Sequence, residues 1–365
     1  MCDLARELDR LGHHVAFYSF VPPWRTRPLG LRDECNRWLG PWVAPFYVAE
    51  RVARHPRLQR LAAELVVDVL DRVAARSLER CDVFIGMSGI GPRVAEIARR
   101  KFGARVFVER GSRHVLSQKA ILEALPRPPG SGPPVGERTV RRELHDYQSA
   151  DLICVPSSQV VQSFVDEGVS RDKLFCNPYG VDLEMFPPTL APASRRTRTI
   201  VMAGVWCYRK GCDVLVDAWR RLPGTRLLHV GAVGDAPLPT DARFEHLDAV
   251  DQRKLSAIYA QADVFALASR EEGLALVQAQ AVASGLPLVC TERTGGADLR
   301  ALLDDPSLVE VVPPDDASAF AAALGRALER AGNTHGLREP LGAGRERPSW
   351  RAYGERYHRK LLEQV

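Results

Sequence analysis

Short apolar runs alternate with helix-patterned stretches along almost the whole chain, and this alternation constrains the fold more than any other feature. Strand-like runs fall at 14–20, 82–86, 105–109 and 151–155. After Pro187-Pro188 the pattern restarts, with runs at 199–203, 227–230, 264–267, 286–290 and 308–312. Helix patterns lie between them. Leu4, Leu8 and Leu11 share one face ahead of Gly12, and further helical stretches cover 51–79, 93–101, 138–149 and 350–362. Strands alternating with helices build βαβ units and a parallel sheet. Two such series, in 365 residues at ~150 per domain, predict an α/β protein of two Rossmann-like, doubly wound domains. The boundary is expected at about 186–197, which gives domains at 1–187 and 188–340 and a final segment at 341–365. Loose Pro/Gly-rich stretches occupy 126–136 and 332–348.

A doubly wound domain usually opens on a strand, and right-handed winding makes a helix-first start unusual. The first N-terminal strand is therefore expected to be missing, and the plainer alternative is a sheet that starts on its second element.

Composition narrows the class. Apolar content of 45% and charged content of 26% exclude a disordered chain, a collagen-like repeat and a small disulfide scaffold. No apolar run reaches the ~18 residues of a spanning helix. The N-terminal stretch MCDLARELDR has no apolar core of a secretion signal. Net charge is +5, and only six of the 50 basic residues are lysine, which reads as a compositional habit. Without RNP-like or zinc-finger patterns, no nucleic-acid partner is expected. Eight cysteines are scattered with no C-x-x-C, which points to reduced thiols in a cytoplasm. No H-x3-H, H-E-x-x-H or D-x-D spacing supports a metal. His13, His14, His229 and His246 flank or sit on strand-like runs and read as structural.

Two segments carry chemistry. In 202–211, a strand ends at Gly204 and Arg209-Lys210-Gly211 opens a helix. Amides at a helix start favour anions, and two cations beside them suit a diphosphate. Taken alone, this pattern is equally a solvated basic turn. In 268–287, a strand ends near Leu267, a loop carries Glu272-Gly273-Leu274, and a helix follows from about 275 to 284. Glycine permits close backbone approach. A carboxylate at Glu272 can accept hydrogen bonds from sugar hydroxyls. Gln280 lies two turns further on, where its amide reaches a ribose.

This second segment resembles the E-x7-E stretch of glycosyltransferase family 4, the retaining GT-B enzymes of glycosyl transferases group 1. Other stretches agree. Ala150 to Ser158 resembles the family's A-D-x-I-x-x-P-S strand end. Asn177-Pro178-Tyr179-Gly180-Val181-Asp182, with Phe186 following, resembles its interdomain turn. Gln261 to Leu267 resembles the strand leading into E-x7-E. Glu109-Arg110-Gly111-Ser112-Arg113-His114 resembles its R-x-S-x-H loop. Order and spacing agree across 80–365.

The resemblance implies a GT-B fold with the two domains facing a cleft. The donor, a nucleotide-diphosphate sugar acting as co-substrate with no further cofactor, would bind the C-terminal domain. A glycan or lipid-linked acceptor would bind the N-terminal one. The last helix would cross back to the N-terminal domain. The implied catalytic set is His114, Arg209, Lys210 and Glu272, with Gly204, Gly273, Leu274 and Gln280 holding the donor and no metal. His114 would contact the transferred sugar. Without the resemblance it reads as a surface histidine in an arginine-rich loop.

The sequence departs from the family pattern twice. The usual glycine-arginine is Gly204-Val205 here, and the second glutamate of E-x7-E is Gln280. A neutral amide forms weaker bonds than a carboxylate.

The expected function is a retaining, metal-independent transfer of a sugar to an acceptor hydroxyl in glycan, polysaccharide or glycolipid biosynthesis. A sugar-nucleotide epimerase and a non-catalytic nucleotide-sugar binder are the alternatives. Arg51, Arg54, Arg57, Arg60, Arg72 and Arg76 also mark the 51–79 helix as a candidate for peripheral membrane contact at the inner face. Glu64 and Asp68 interrupt that charge and favour a solvated face.

Overall fold

The computed structural model describes residues 1–53, 55–127, 132–188, 197–333, 344 and 346–364; for Pro56, Arg57, Arg60, Gly332 and Asn333 it describes the backbone alone. Most of the expected boundary and of the 332–348 stretch, and the side chains of Arg54, Arg57 and Arg60, lie outside the described residues.

The first half contains α1 (Cys2–Arg10), β1 (Phe17–Ser19), α2 (Pro23–Thr26), β2 (Asn36–Trp38), α3 (Gly40–Val52), α4 (Pro56–Ser77), β3 (Val83–Met87), α5 (Pro92–Phe102), β4 (Arg105–Glu109), α6 (Val115–Glu123), α7 (Glu137–Ser149), β5 (Leu152–Val155), α8 (Ser158–Asp166) and β6 (Leu174–Cys176). The second contains β7 (Arg198–Ala203), α9 (Cys212–Arg220), β8 (Thr225–Val230), β9 (Phe244–Leu247), α10 (Gln252–Tyr259), β10 (Val264–Leu267), α11 (Leu276–Ala283), β11 (Leu288–Thr291), α12 (Gly296–Ala301), β12 (Val309–Val312), α13 (Ala317–Asn333) and α14 (Trp350–Leu362).

The expected helix at 51–79 is two helices. Pro56, which lacks an N–H, opens α4, and α3 ends at Val52. The expected strand at 14–20 shortens to Phe17–Ser19.

Among the described residues all strand pairs are parallel. In the second half the order is β12-β11-β10-β7-β8-β9. β7 and β10 are neighbours, with Val264 opposite Ile200, and the strand order reverses between them. Connections leave these two strands toward opposite faces, so a crevice opens at their carboxyl ends, where open α/β sheets bind ligands. From Ile200 in β7 and throughout β10 the strands are buried on both faces, as their apolar sequences require.

The first half has a four-stranded sheet, β3-β4-β5-β6, and a separate β1-β2 pair. β1 is not bonded to β3. A cavity of about 560 Å³ lies between them, lined by Val15 to Phe20 on one side and Cys81 to Met87 on the other. The α14 helix packs against α1. Its Tyr353, Tyr357 and Leu361 join Leu4, Leu8, Phe107 and Leu152 in one buried cluster. The Tyr357 hydroxyl donates to the buried Glu109 carboxylate at 2.7 Å.

Candidate active site

Two loops leave the switch point of the second sheet. The loop after β7 runs through Gly204 into a 3-10 turn, Tyr208–Lys210, and the α9 helix starts only at Cys212. Arg209-Lys210 therefore does not open the helix itself. Gly211 separates turn from helix at φ +65°, and a Cβ there would strike the Ala268 carbonyl. That close approach holds the turn against the loop after β10. The Arg270 amide donates to the Arg209 carbonyl at 2.9 Å, and the Arg270 guanidinium donates to the Tyr208 carbonyl at 2.6 Å.

This stitching brings Arg209, Lys210 and Glu272 together. Arg209 Nη1 lies 2.8 Å from Glu272 Oε1, and the Lys210 ammonium pairs with the same oxygen. Lys210 is 9% exposed. A Cβ on Gly204 would stand 3.8 Å from Lys210 Cε, so the backbone of Gly204 flanks the lysine. Burial acts to lower the Arg209 pKa, but Glu272 and then Glu271 outweigh it and raise the net value.

The first half of the chain closes over this group. Ser157 Oγ donates to the Gly273 carbonyl at 2.8 Å, and Gln159 Nε2 donates to the Glu272 carbonyl at 2.7 Å. A Cβ on Gly273 would collide with the Gly111 carbonyl, so two backbones meet at van der Waals distance there. Ser158 binds Asp298 through its amide at 2.8 Å and its hydroxyl at 2.9 Å. Leu274 is buried beside Gly295.

Glu271 was given no role by sequence reasoning, yet it is fully buried at the centre of the seam. Ser112 Oγ donates to it, Gln118 Nε2 donates to it at 3.3 Å, and Arg209 Nη1 lies 3.6 Å from it. Gln118 in turn accepts from Arg110 at 2.7 Å. A continuous polar chain thus runs from Arg110 through Gln118, Ser112, Glu271 and Arg209 to Glu272 and Lys210. Nothing in the sequence set Glu271 apart from Glu272, because its partners Ser112 and Gln118 lie more than 150 residues earlier in the chain. Arg113 also belongs to the seam. Its Nη1 donates to Gln159 Oε1 at 2.6 Å, its Nε is buried without a partner, and burial followed by the Arg293 charge pulls its pKa down.

His114 departs from expectation. Its ring is 2% exposed, caps α6 by accepting from the Leu116 amide at 3.4 Å, and contacts Tyr147 and Phe164 at ring-centroid distances of 5.0 and 4.9 Å. Burial, and then the Arg110 charge, lower its pKa to about 4. The ring is therefore neutral and turned into the core of its own domain, because the α6 cap and the aromatic pair claim it. His229, read as structural, is buried and takes a supporting position: its Nε2 lies 2.8 Å from the Gly204 carbonyl and its ring stacks on His246.

Gln280 is on α11 and 5% exposed, and its Oε1 is buried without a hydrogen-bond partner. A buried amide oxygen in that state is suited to accept from a ligand hydroxyl. The cavity between β1 and β3 is lined by none of these groups.

Comparison with known proteins agrees with this geometry. Residues 1–180 match the glycosyl transferase 4-like domain, and residues 197–330 match glycosyl transferases group 1. The chain belongs to the group 1 glycosyltransferases. Among the chain's relatives, the MMP alpha-(1->4)-mannosyltransferase of Mycolicibacterium hassiacum is 29% identical over 50% of this chain and 46% of its own. The D-inositol 3-phosphate glycosyltransferase of Xylanimonas cellulosilytica is 29% identical over 65% of this chain and 62% of its own. The chain thus spans about half the length of the curated relatives it matches. The sucrose-phosphate synthase structure from Thermosynechococcus elongatus superposes with a TM-score of 0.67 at 20% identity, over 99% of this chain and 92% of that one. Anabaena HepE, in complex with UDP and glucose, gives 0.60 at 13% identity, over 82% and 81%. These structural likenesses speak for the GT-B fold.

Proposed function

We propose that the protein transfers a sugar from a nucleotide-diphosphate donor to an acceptor hydroxyl with retention of anomeric configuration, in the assembly of a glycan, polysaccharide or glycolipid in the cytoplasm. The observation that carries this reading is the convergence of Arg209, Lys210 and Glu272 at the carboxyl ends of β7 and β10, under a seam made by the other domain.

Cations at that point stabilise the charge that develops as the diphosphate leaves. Their effect is larger in the transition state than in the ground state, and that difference lowers the barrier. Glu272 exchanges its present cationic partners for sugar hydroxyls and sets the donor's position. The Gly273 backbone lies at the contact of the two domains, close to where donor and acceptor would meet. The orphaned Gln280 oxygen accepts from a ribose hydroxyl. Eight free thiols fit a reducing compartment. The acceptor lies on the Gly111–Arg113 side, and the buried ring of His114 fixes that loop instead of touching sugar.

The test is a panel of nucleotide sugars incubated with candidate acceptors, with nucleotide release and product configuration followed by NMR. Acceptor-dependent release with a retained anomeric centre is expected. Donor binding without turnover would replace this reading with a non-catalytic binder, as Val205 and Gln280 would then explain. Interconversion of the donor sugar would replace it with an epimerase.

A further inference from the structure

Arg270 joins three segments of the second half. It lies on the loop after β10, two residues before Glu272. Its Nη1 and Nη2 donate to the two carboxylate oxygens of Asp213, in the first turn of α9, at 2.7 and 2.8 Å. Its Nε donates to Asp315, on the loop between β12 and α13, at 2.5 Å. Nη1 also donates to the Tyr208 carbonyl at 2.6 Å. All three guanidinium nitrogens are thereby engaged, on two carboxylates and one carbonyl. A planar fork makes such a set; the point charge of a lysine does not. The Arg270 side chain is 12% exposed, so water competes little for these bonds.

Asp315 pairs at a conformational cost. Among the described residues it is the one non-glycine with positive φ, at +63°. That left-handed region penalises a Cβ, although aspartate tolerates it better than most residues. Glycine would fit this backbone more easily, but only a side chain reaches Arg270.

What Arg270 holds is the turn Tyr208–Lys210. Its guanidinium donates to the Tyr208 carbonyl and its amide to the Arg209 carbonyl, so one residue fixes two successive peptide groups. On the other side, the Tyr208 amide donates to Asp235 at 2.9 Å. Arg209 and Lys210 have long, flexible stems, and their reach is set by where this backbone stands. Arg270 itself is a cation between two carboxylates, which leaves it no surplus charge to offer an anion.

We propose that Arg270, clamped between Asp213 and Asp315, is a positioning residue for the diphosphate-gripping turn. It sets the backbone of Tyr208–Lys210, and through it the placement of Arg209 and Lys210, without touching the donor. That the turn grips a diphosphate rests on the transferase reading; the clamp itself does not.

The full chain should be titrated with pyrophosphate by calorimetry, and turnover followed with a nucleotide sugar that the panel identifies. Arg270→Gln is expected to weaken pyrophosphate binding and to lower kcat roughly tenfold or more, as misplacement of gripping groups does. Arg270→Lys should match Arg270→Gln, because it restores charge without the fork. Asp315→Gly removes one jaw of the clamp and relieves the backbone. Its melting midpoint should equal or exceed that of wild type, since an exposed ion pair adds little stability, while pyrophosphate binding weakens. A purely structural role would move stability and binding together. If the Arg270 variants fail to fold, Asp315→Gly still decides the matter. No pyrophosphate binding by wild type would remove the transferase reading and the inference with it. Wild-type binding retained in Arg270→Lys, or in Asp315→Gly, would overturn the inference and leave that reading in place.

Discussion

Lys210 and Glu272 are ion-paired across the two loops that leave β7 and β10, and Arg209 shares the same carboxylate oxygen at 2.8 Å. The two segments are more than sixty residues apart in the chain, and the reversal of strand order between β7 and β10 makes them neighbours. In the resting protein the cations neutralise a carboxylate; under the proposed function they would neutralise the donor's diphosphate instead. Lys210→Ala is expected to lower turnover by roughly 10²-fold, as for loss of one donor to developing charge. Nucleotide release measured on a responsive donor checks this, and near wild-type rates would remove Lys210 from the mechanism.

Gln280→Glu should restore charge to the orphaned acceptor. A carboxylate at a site 5% exposed, with nothing to pair with it, costs more than the about 1–3 kcal/mol of an unsatisfied neutral group. The free variant should therefore melt earlier than wild type. Nucleotide sugar should stabilise it by a larger margin than it stabilises wild type, because a charged acceptor bonds a hydroxyl more strongly. Equal shifts in a thermal melt would show that Gln280 does not face the donor.

Gly273→Ala should separate the domains at their closest point. The added methyl group meets the Gly111 carbonyl, and neither backbone has room to yield. A cost of about 1–3 kcal/mol is expected for overpacking of this kind. Small-angle scattering should report a more open molecule, and unchanged dimensions would contradict the close approach.

The pH dependence of stability has a defined sign at His114. Its pKa in the folded chain is lowered from 6.5 to about 4 by burial and then by Arg110. Between those values the unfolded chain binds more protons, so the contribution of the neutral ring is complete above the upper value and is lost as pH falls toward the lower one. Asp146, raised to about 6 mainly by burial, works in the opposite direction from its ordinary value of 3.8 upward. Comparison with His114→Asn, which can still cap α6, cancels that effect. The wild-type melting midpoint should fall more steeply than the variant's on acidification; parallel curves would show that the ring is not held neutral.

Much of this architecture was legible before any coordinates. The strand Val264–Leu267 and the helix Trp350–Leu362 have the limits that apolar runs and flanking polar residues predict. The failures have physical reasons. The α3 helix carries apolar residues on every side and prolines at 41 and 45, so it shows no helical period. Pro56 divided what read as one amphipathic stretch. The motif around His114 identified a loop but not a rotamer, and the Tyr147–Phe164 pair that draws the ring inward lies far along the chain. Glu271 became visible only when Ser112 and Gln118 arrived from the other domain.

The position of α14 has a consequence for synthesis. Tyr353, Tyr357 and Leu361 complete a cluster whose other members include Leu4 and Leu8, so α1 is sealed by a helix made much later in the chain. On the ribosome, the half built on β7 to β12 can mature while the earlier half still lacks a wall. A nascent or truncated chain without α14 would therefore leave Leu4 and Leu8 open to chaperones and proteases even after the later sheet has folded.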